Sequence, residues 1–216
     1  MLKILQMGGP LLWAILLVTA GGILAFLERW YYYHRAKIRV QDFLLGIGKR
    51  VRANAYAEAT AICEHESHSP VAQVVRATLL HHDRNRDEIR EAVDAVAIQE
   101  TRRLNKHLFL LASIAQVTPL LGLLGTIMGM IHAFLTITRQ GGVVNAATLA
   151  GGIWEALICT AAGILAAIPA YISYNYLISR RDDMVNDMEL CATEMLILFA
   201  QQEREHRRSE FDLTES

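Results

Sequence analysis

"TPLLGLLGTIMGMIHAF", residues Thr118–Phe134, decides how the rest of the chain is read. The stretch is as apolar as membrane hydrocarbon, yet it carries three glycines and sets Thr126 near its middle. Around it, apolar residues gather in three runs near 9–28, 108–138 and 149–178, with charge filling the spaces between. The chain has 216 residues, 53% hydrophobic and 20% charged, with a formal net charge of −1. A soluble domain of that composition would spread its apolar residues over amphipathic segments, so this pattern specifies a membrane protein. The fold class expected is all-α, an integral membrane protein with three transmembrane helices and long helices continuing beyond them.

Met1–Phe26 is not a removable leader by this reading. Only Lys3 precedes the apolar run, which ends at "ERWYYYHR" (Glu28–Arg35) with no small-residue cleavage pattern. Arg29, Arg35, Lys37, Arg39, Lys49, Arg50 and Arg52 follow the first run, Arg102, Arg103 and Lys106 precede the second, and Arg180 and Arg181 follow the third. Lys3 and Arg139 are the only basic residues at the opposite ends. The positive-inside rule then predicts a periplasmic N-terminus (1–8), spans at 9–28, 107–138 and 149–178, and a periplasmic loop at 139–148. Residues 29–106 and 179–216 fall in the cytoplasm, with Trp30–Tyr33 as an aromatic belt at the inner interface. "SHSP" (Ser67–Pro70) is the one clear break in the first cytoplasmic segment. Ile89, Val93, Val96 and Leu104 share a helical face, and no breaker separates Asp87 from Thr118, so one unbroken helix is expected to enter the second span. Val185, Met188, Ala192, Met195 and Phe199 predict a further amphipathic helix after the third.

Small and hydroxylated residues recur at helical spacing in both later spans. Thr118, Gly122, Thr126, Gly129, Ala133 and Thr136 form one stripe; Gly152, Ala156, Thr160, Gly163, Ala167 and Ala170 form the other. Helices in lipid associate through such stripes, because tails are as apolar as leucine and only close packing draws helices together. Each stripe is therefore either a plain helix–helix seam, its threonines bonding back to their own i−4 carbonyls, or a seam that also faces a narrow polar passage. Glu155 weighs toward the second, since a carboxylate in hydrocarbon costs a few kcal/mol and faces protein or water. Its own face continues through Cys159, Ala162, Ala166 and Pro169, which predicts a third span packed on two sides. A threonine can donate and accept a proton but holds no charge, so a titrating group would have to come from a partner.

These residues resemble the MotA/TolQ/ExbB proton-channel family. The resemblance is carried by "GGPLLWAILLVTAGGILAFLER" (Gly8–Arg29), by the opening stretch, and by "GGIWEALICTAAGILAAIPAYISYN" (Gly151–Asn175). Three spans rather than four place it with the ExbB/TolQ branch. The resemblance implies a homopentameric ring in the bacterial inner membrane. That ring would enclose an ExbD/TolR-like single-span partner whose membrane aspartate carries the proton, and would act on a TonB/TolA-like transducer. It implies pore-lining roles for Thr126 and Thr160 and a pathway role for Glu155, with Gly122, Gly129, Gly152, Ala156, Gly163 and Pro169 packing the helices. The rivals are a non-conducting scaffold for a single-span partner, a sensor built on residues 30–106, and a gliding or secretion motor of the same family.

Other signals are weaker. Cys63, His65, His68, His81, His82 and Asp83 fit no zinc spacing, and His132 reads as an interfacial histidine. No nucleophile–base pair or phosphate loop is visible, so neither an enzyme nor a cofactor is expected. The near-neutral charge gives no sign of nucleic-acid binding, and the spacing of Cys63, Cys159 and Cys191 indicates no disulfide framework.

Overall fold

The computed structural model describes residues 9–139 and 146–214, so the expected N-terminal segment 1–8 and most of the loop 139–148 lie outside the described residues. All described secondary structure is helical: α1 (Gly9–Ala36), α2 (Val40–Arg52), α3 (Tyr56–His65), α4 (Pro70–Leu80), α5 (Arg86–Asn105), α6 (Leu108–Arg139) and α7 (Ala146–Thr214). Three of them, α1, α6 and α7, contain stretches long and apolar enough to cross a membrane. At 1.5 Å per residue the 69 residues of α7 reach ~100 Å, far beyond the ~30 Å of a hydrocarbon core. The chain divides into two compact units. One holds α1 to Trp30, all of α6, and α7 to Ile178; the other holds 31–106 and the rest of α7.

In the membrane unit, only 17–22% of the residues in each apolar stretch are buried within the chain. Large side chains such as Leu17, Phe109, Leu120 and Leu165 face outward, while the small residues face in. That is the reverse of a soluble helix pair and the arrangement that lipid favours, since apolar bulk has nothing to gain by hiding from tails. Pro119 and Pro169 both lie inside helices. Each removes one ladder donor, a loss that neighbouring helices and hydroxyls make tolerable in membranes.

The second unit is built by burial instead. α2 turns Phe43, Leu44, Ile47, Gly48 and Val51 inward, and α4 is buried along nearly its whole length. Ser69 and Pro70 open α4, with the proline at its first turn, where its missing N–H costs nothing. The break expected at "SHSP" is therefore present. α7 contributes Met184, Met188, Cys191 and Met195 as its buried row. Val185, Ala192 and Phe199, expected in that row, are only half-buried, so the face is turned by about one residue. Gln202 closes one end: its Nε2 donates to the Val51 carbonyl at 2.9 Å and to Asn54 Oδ1 at 2.8 Å. Its Oε1 accepts from the Tyr56 hydroxyl at 3.2 Å.

The unbroken helix expected from Asp87 through Thr118 is interrupted. α5 ends at Asn105, Lys106 is extended, and His107 takes a left-handed φ of 63° before α6 begins. No glycine or proline marks the spot. Local partners hold it: His107 Nδ1 lies 2.8 Å from Glu28 Oε2, while the Leu104 carbonyl at the end of α5 accepts from the Tyr33 hydroxyl at 2.8 Å.

Candidate functional site

α6 and α7 meet along their small residues. A Cβ added at Gly122 would come within 3.0 Å of the Cys159 carbonyl oxygen and 3.2 Å of the Thr160 Cα. At Gly163 it would stand 2.9 Å from both the Gly122 Cα and the Thr118 carbonyl oxygen. At Gly129 the nearest atoms are the Gly152 carbonyl oxygen at 3.1 Å and Ala156 Cβ at 3.2 Å. At Gly122 and Gly163 the contacts are backbone on backbone, and at Gly129 the one side-chain atom met is the Ala156 methyl, which has no rotamer to yield. Gly122, Gly129, Gly152, Gly163 and Ala156 thus lie along one line of close approach, while Pro169 borders α1 instead.

The row of α6 actually buried is Leu108, Leu111, Ala115, Thr118, Gly122, Gly125, Gly129 and Ala133. Gly125, not Thr126, completes the alternating three- and four-residue steps. Thr118 is fully buried and bonds back to the Ile114 carbonyl of its own helix. Thr126 is half-exposed and donates to Leu123 O at 2.6 Å, again within its helix. Thr160 differs from both: its Oγ1 donates across the seam to the Gly122 carbonyl at 3.2 Å.

Helical geometry separates the two flanks of this seam. At 100° per residue, Gly125 and Thr126 diverge to opposite sides of the Gly122–Gly129 line, as Cys159 and Thr160 do on α7. A Cβ at Gly125 would strike the Cys159 side chain and lie 3.5 Å from Leu11 of α1, so the Gly125–Cys159 flank is the one α1 covers. On this flank Gly22 and Ile23 of α1, Ile114 of α6, and Ala166 and Pro169 of α7 border a cavity of about 110 Å³. Thr126 and Thr160 lie together on the other flank, away from α1. Both are half-exposed there.

Glu155 is not with them. It shares the α1 flank with Cys159, one turn along, and a Cβ at Gly9 would collide with its Oε1. Gly9 has a φ of 64°, a left-handed backbone conformation that favours glycine, and the Glu155 carboxylate lies against it. The second small face of α7 packs against α1 of the same chain. His132 is exposed on the outer surface of α6.

The remaining candidates disperse. Cys63 is fully buried, and burial pushes its thiol up to about 12. His65 turns to Glu66 at 3.7 Å, His81 Nδ1 sits 2.9 Å from Ala77 O, and His82 stacks on Tyr56 with ring centres 4.0 Å apart. Among the described residues no three His, Cys, Asp or Glu side chains gather as metal ligands. The sequence reading missed Gly125 and the Glu28–His107 contact. Gly125 was visible as the alternative phase of the same stripe; the contact had no local signal.

Residues 66–190 match the profile of the MotA/TolQ/ExbB proton channel family. A biopolymer transport protein of the ExbB-like 1 type from Synechocystis sp. is 29% identical over 194 residues, covering 89% of this chain and 76% of its own. An ExbB homolog from Methanothermobacter thermautotrophicus is 28% identical over 191 residues, 88% of this chain and 67% of its own. The biopolymer transport protein ExbB of Neisseria gonorrhoeae is 39% identical over 97 residues, 45% of this chain and 44% of its own.

Proposed function

The chain belongs to the MotA/TolQ/ExbB proton channel family, on its ExbB/TolQ branch, and on that footing we propose that it is the ring-forming subunit of a proton-driven membrane motor. The family is one of channels and not of enzymes. In this reading five copies surround the single-span helices of an ExbD/TolR-like partner in the inner membrane. The partner's membrane aspartate carries the proton, and its movement works on a TonB/TolA-like transducer. The N-terminus is periplasmic and the C-terminus cytoplasmic, as the distribution of lysine and arginine supports. The field supplies ~2.3 kcal/mol per charge for each 100 mV crossed.

One observation carries the proposal: Thr126 and Thr160 share the flank of the α6–α7 pair that α1 leaves open. The Thr126 hydroxyl is tied only to its own helix, and the Thr160 hydroxyl bridges the seam. Both oxygens retain lone pairs for an incoming carboxyl or water. The low intrachain burial of the spans supports neighbours or lipid on their remaining faces. Glu155, expected in the pathway, fits better as the group that holds the start of α1. A carboxylate beside a helix N-terminus is stabilising through the helix dipole.

Thr160→Val tests the reading, since it keeps the shape and removes the hydroxyl. An interhelical membrane hydrogen bond is worth only ~0.6 kcal/mol, so assembly should survive. Proton flux through the reconstituted complex should fall at least tenfold. Unchanged flux-dependent function with intact assembly would favour a passive scaffold.

A further inference from the structure

The cavity between α1 and the α6–α7 pair belongs to neither the seam nor the threonine flank. We infer that it is a phospholipid site that takes the headgroup-proximal part of one acyl chain. Its character is apolar. Among its bordering side chains only Thr19 and Ser173 carry oxygen, and Thr19 Oγ1 is already committed to Ile15 O at 2.7 Å. A water there would lack the two to four polar partners that hold buried water in place. The space exists because Gly22 and Ala166 present no bulk where three helices converge, while the rigid ring of Pro169 borders it from α7. At about 110 Å³ it is smaller than the ~150 Å³ apolar cavity that admits benzene, and suits a narrow chain better than a ring.

Its surroundings select the occupant. Ile23, at its border, is 56% exposed, and the adjoining Leu24 and Ile168 are exposed as well, so the cavity opens onto an apolar outer face of the chain. Trp30 is exposed on the same face of α1 as Phe26, which also borders the cavity. Tryptophans sit at headgroup level, so the cavity begins one turn, ~6 Å, below it, at the depth of the first methylenes of an acyl chain. The chain would fill the space that the small residues leave and press α1 onto Ile114 and Ala166.

The test uses the full-length protein in vesicles of phosphatidylethanolamine and phosphatidylglycerol. A trace of phospholipid with a photoactivatable diazirine near the carboxyl end of one chain is included, and adducts are mapped by peptide mass spectrometry. Ile114 and Ala166 should be labelled at least as strongly as Leu17 and Leu165, which are exposed on the outside of the spans. Ala166→Leu should lower labelling at Ile114 at least fivefold and leave Leu17 and Leu165 unchanged. Ser173→Leu fills the same cavity from about two turns further along α7 and should do likewise, so a folding failure of one variant leaves the other to decide. Weak labelling of Ile114 and Ala166 in the unaltered chain, or labelling that neither filled variant reduces, overturns the site. So does labelling by a free fatty-acid probe but not by the phospholipid.

Discussion

Gly163→Ala places a methyl group 2.9 Å from two backbone atoms, the Gly122 Cα and the Thr118 carbonyl oxygen. Ordinary contact begins near 3.4 Å, so α6 and α7 would have to part by about half an ångström or tilt. Overpacking of this kind costs ~1–3 kcal/mol. Alanine recovers up to ~1 kcal/mol of helix propensity, which at full recovery leaves a net loss of up to ~2 kcal/mol. Gly151→Ala, on the same helix, meets nothing within 4 Å and should keep only the gain. The two substitutions are chemically identical, so their difference isolates the seam. Thermal unfolding in a mild detergent, followed by the fraction remaining monodisperse on gel filtration, compares them directly. Gly163→Ala should melt several degrees below the unaltered chain, and Gly151→Ala at or above it. The Thr160–Gly122 hydrogen bond, already 3.2 Å long, should also be lost in Gly163→Ala, with a fall in proton flux. Equal stability of the two variants would refute the close approach on which the seam, and the flank argument built on it, depends.

Glu155→Gln should lower stability by ~0.3–1 kcal/mol, through the lost charge at the start of α1, while leaving most of the proton flux; flux abolished with stability unchanged would return Glu155 to the pathway. Gln202→Ala should destabilise the second unit by ~1–3 kcal/mol, because it strips the Val51 carbonyl, Asn54 and Tyr56 of a shared partner, as denaturant titration of that unit's tyrosine signal would report. Burial, and then repulsion from Asp183, raise the Asp187 carboxyl above its usual range, with Lys37 partly opposing them. A carboxyl raised on folding favours the folded state while protonated and ceases to do so as pH climbs through its folded value. Asp187→Asn should therefore stabilise at neutral pH, and the advantage should fade as acid protonates the native aspartate in a pH series of melts. Cys63 and Cys191, both held near 12, should resist maleimide at pH 8 in the folded protein and react on denaturation.

The spans, the break before Pro70 and the glycine seam were legible because each depends on neighbours within one or two turns. Hydropathy averages over a whole helix, proline forbids what precedes it, and small residues recur at a fixed angle. The phase of the α6 stripe was not settled by the same reasoning. Steps of four then three and of three then four both run from Gly122 to Gly129, and they differ only in whether Thr126 or Gly125 sits between. Choosing requires knowing that α1 approaches from one side, which no window on α6 contains. The interruption at His107 escaped for a related reason. Nothing in "RLNKHLFL" forbids a helix, and the residue that answers His107 is Glu28, distant in sequence. Glu155 was visible as an unusual residue, but its neighbour Gly9 was not.

α7 shows how solvent, rather than periodicity, sets what a seam is made of. Its inward positions recur every seven residues through Ala156, Gly163, Ala170, Leu177, Met184 and Cys191, the repeat of a helix that keeps one side against its partners. In the membrane half these positions are alanine and glycine, joined by Cys159 and Ala167. From Leu177, at the edge of the membrane unit, onward they are leucine, methionine and cysteine, joined by Met188 and Met195. Water rewards the burial of a large side chain by ~1.5–3 kcal/mol, so bulk belongs inside wherever water is the alternative. Lipid offers no such reward, and what remains is dispersion and hydrogen bonding at the shortest reachable distance, which small residues permit. The glycines of Thr118–Phe134 follow from that rule. With backbones this close, one hydroxyl can cross to the opposite carbonyl while another, bonded to its own helix, stands at the edge. Bulky seams would hold the helices too far apart for a Thr160 hydroxyl to reach Gly122. The glycines thus make the threonine flank possible, and the two features quoted at the outset have a single physical origin.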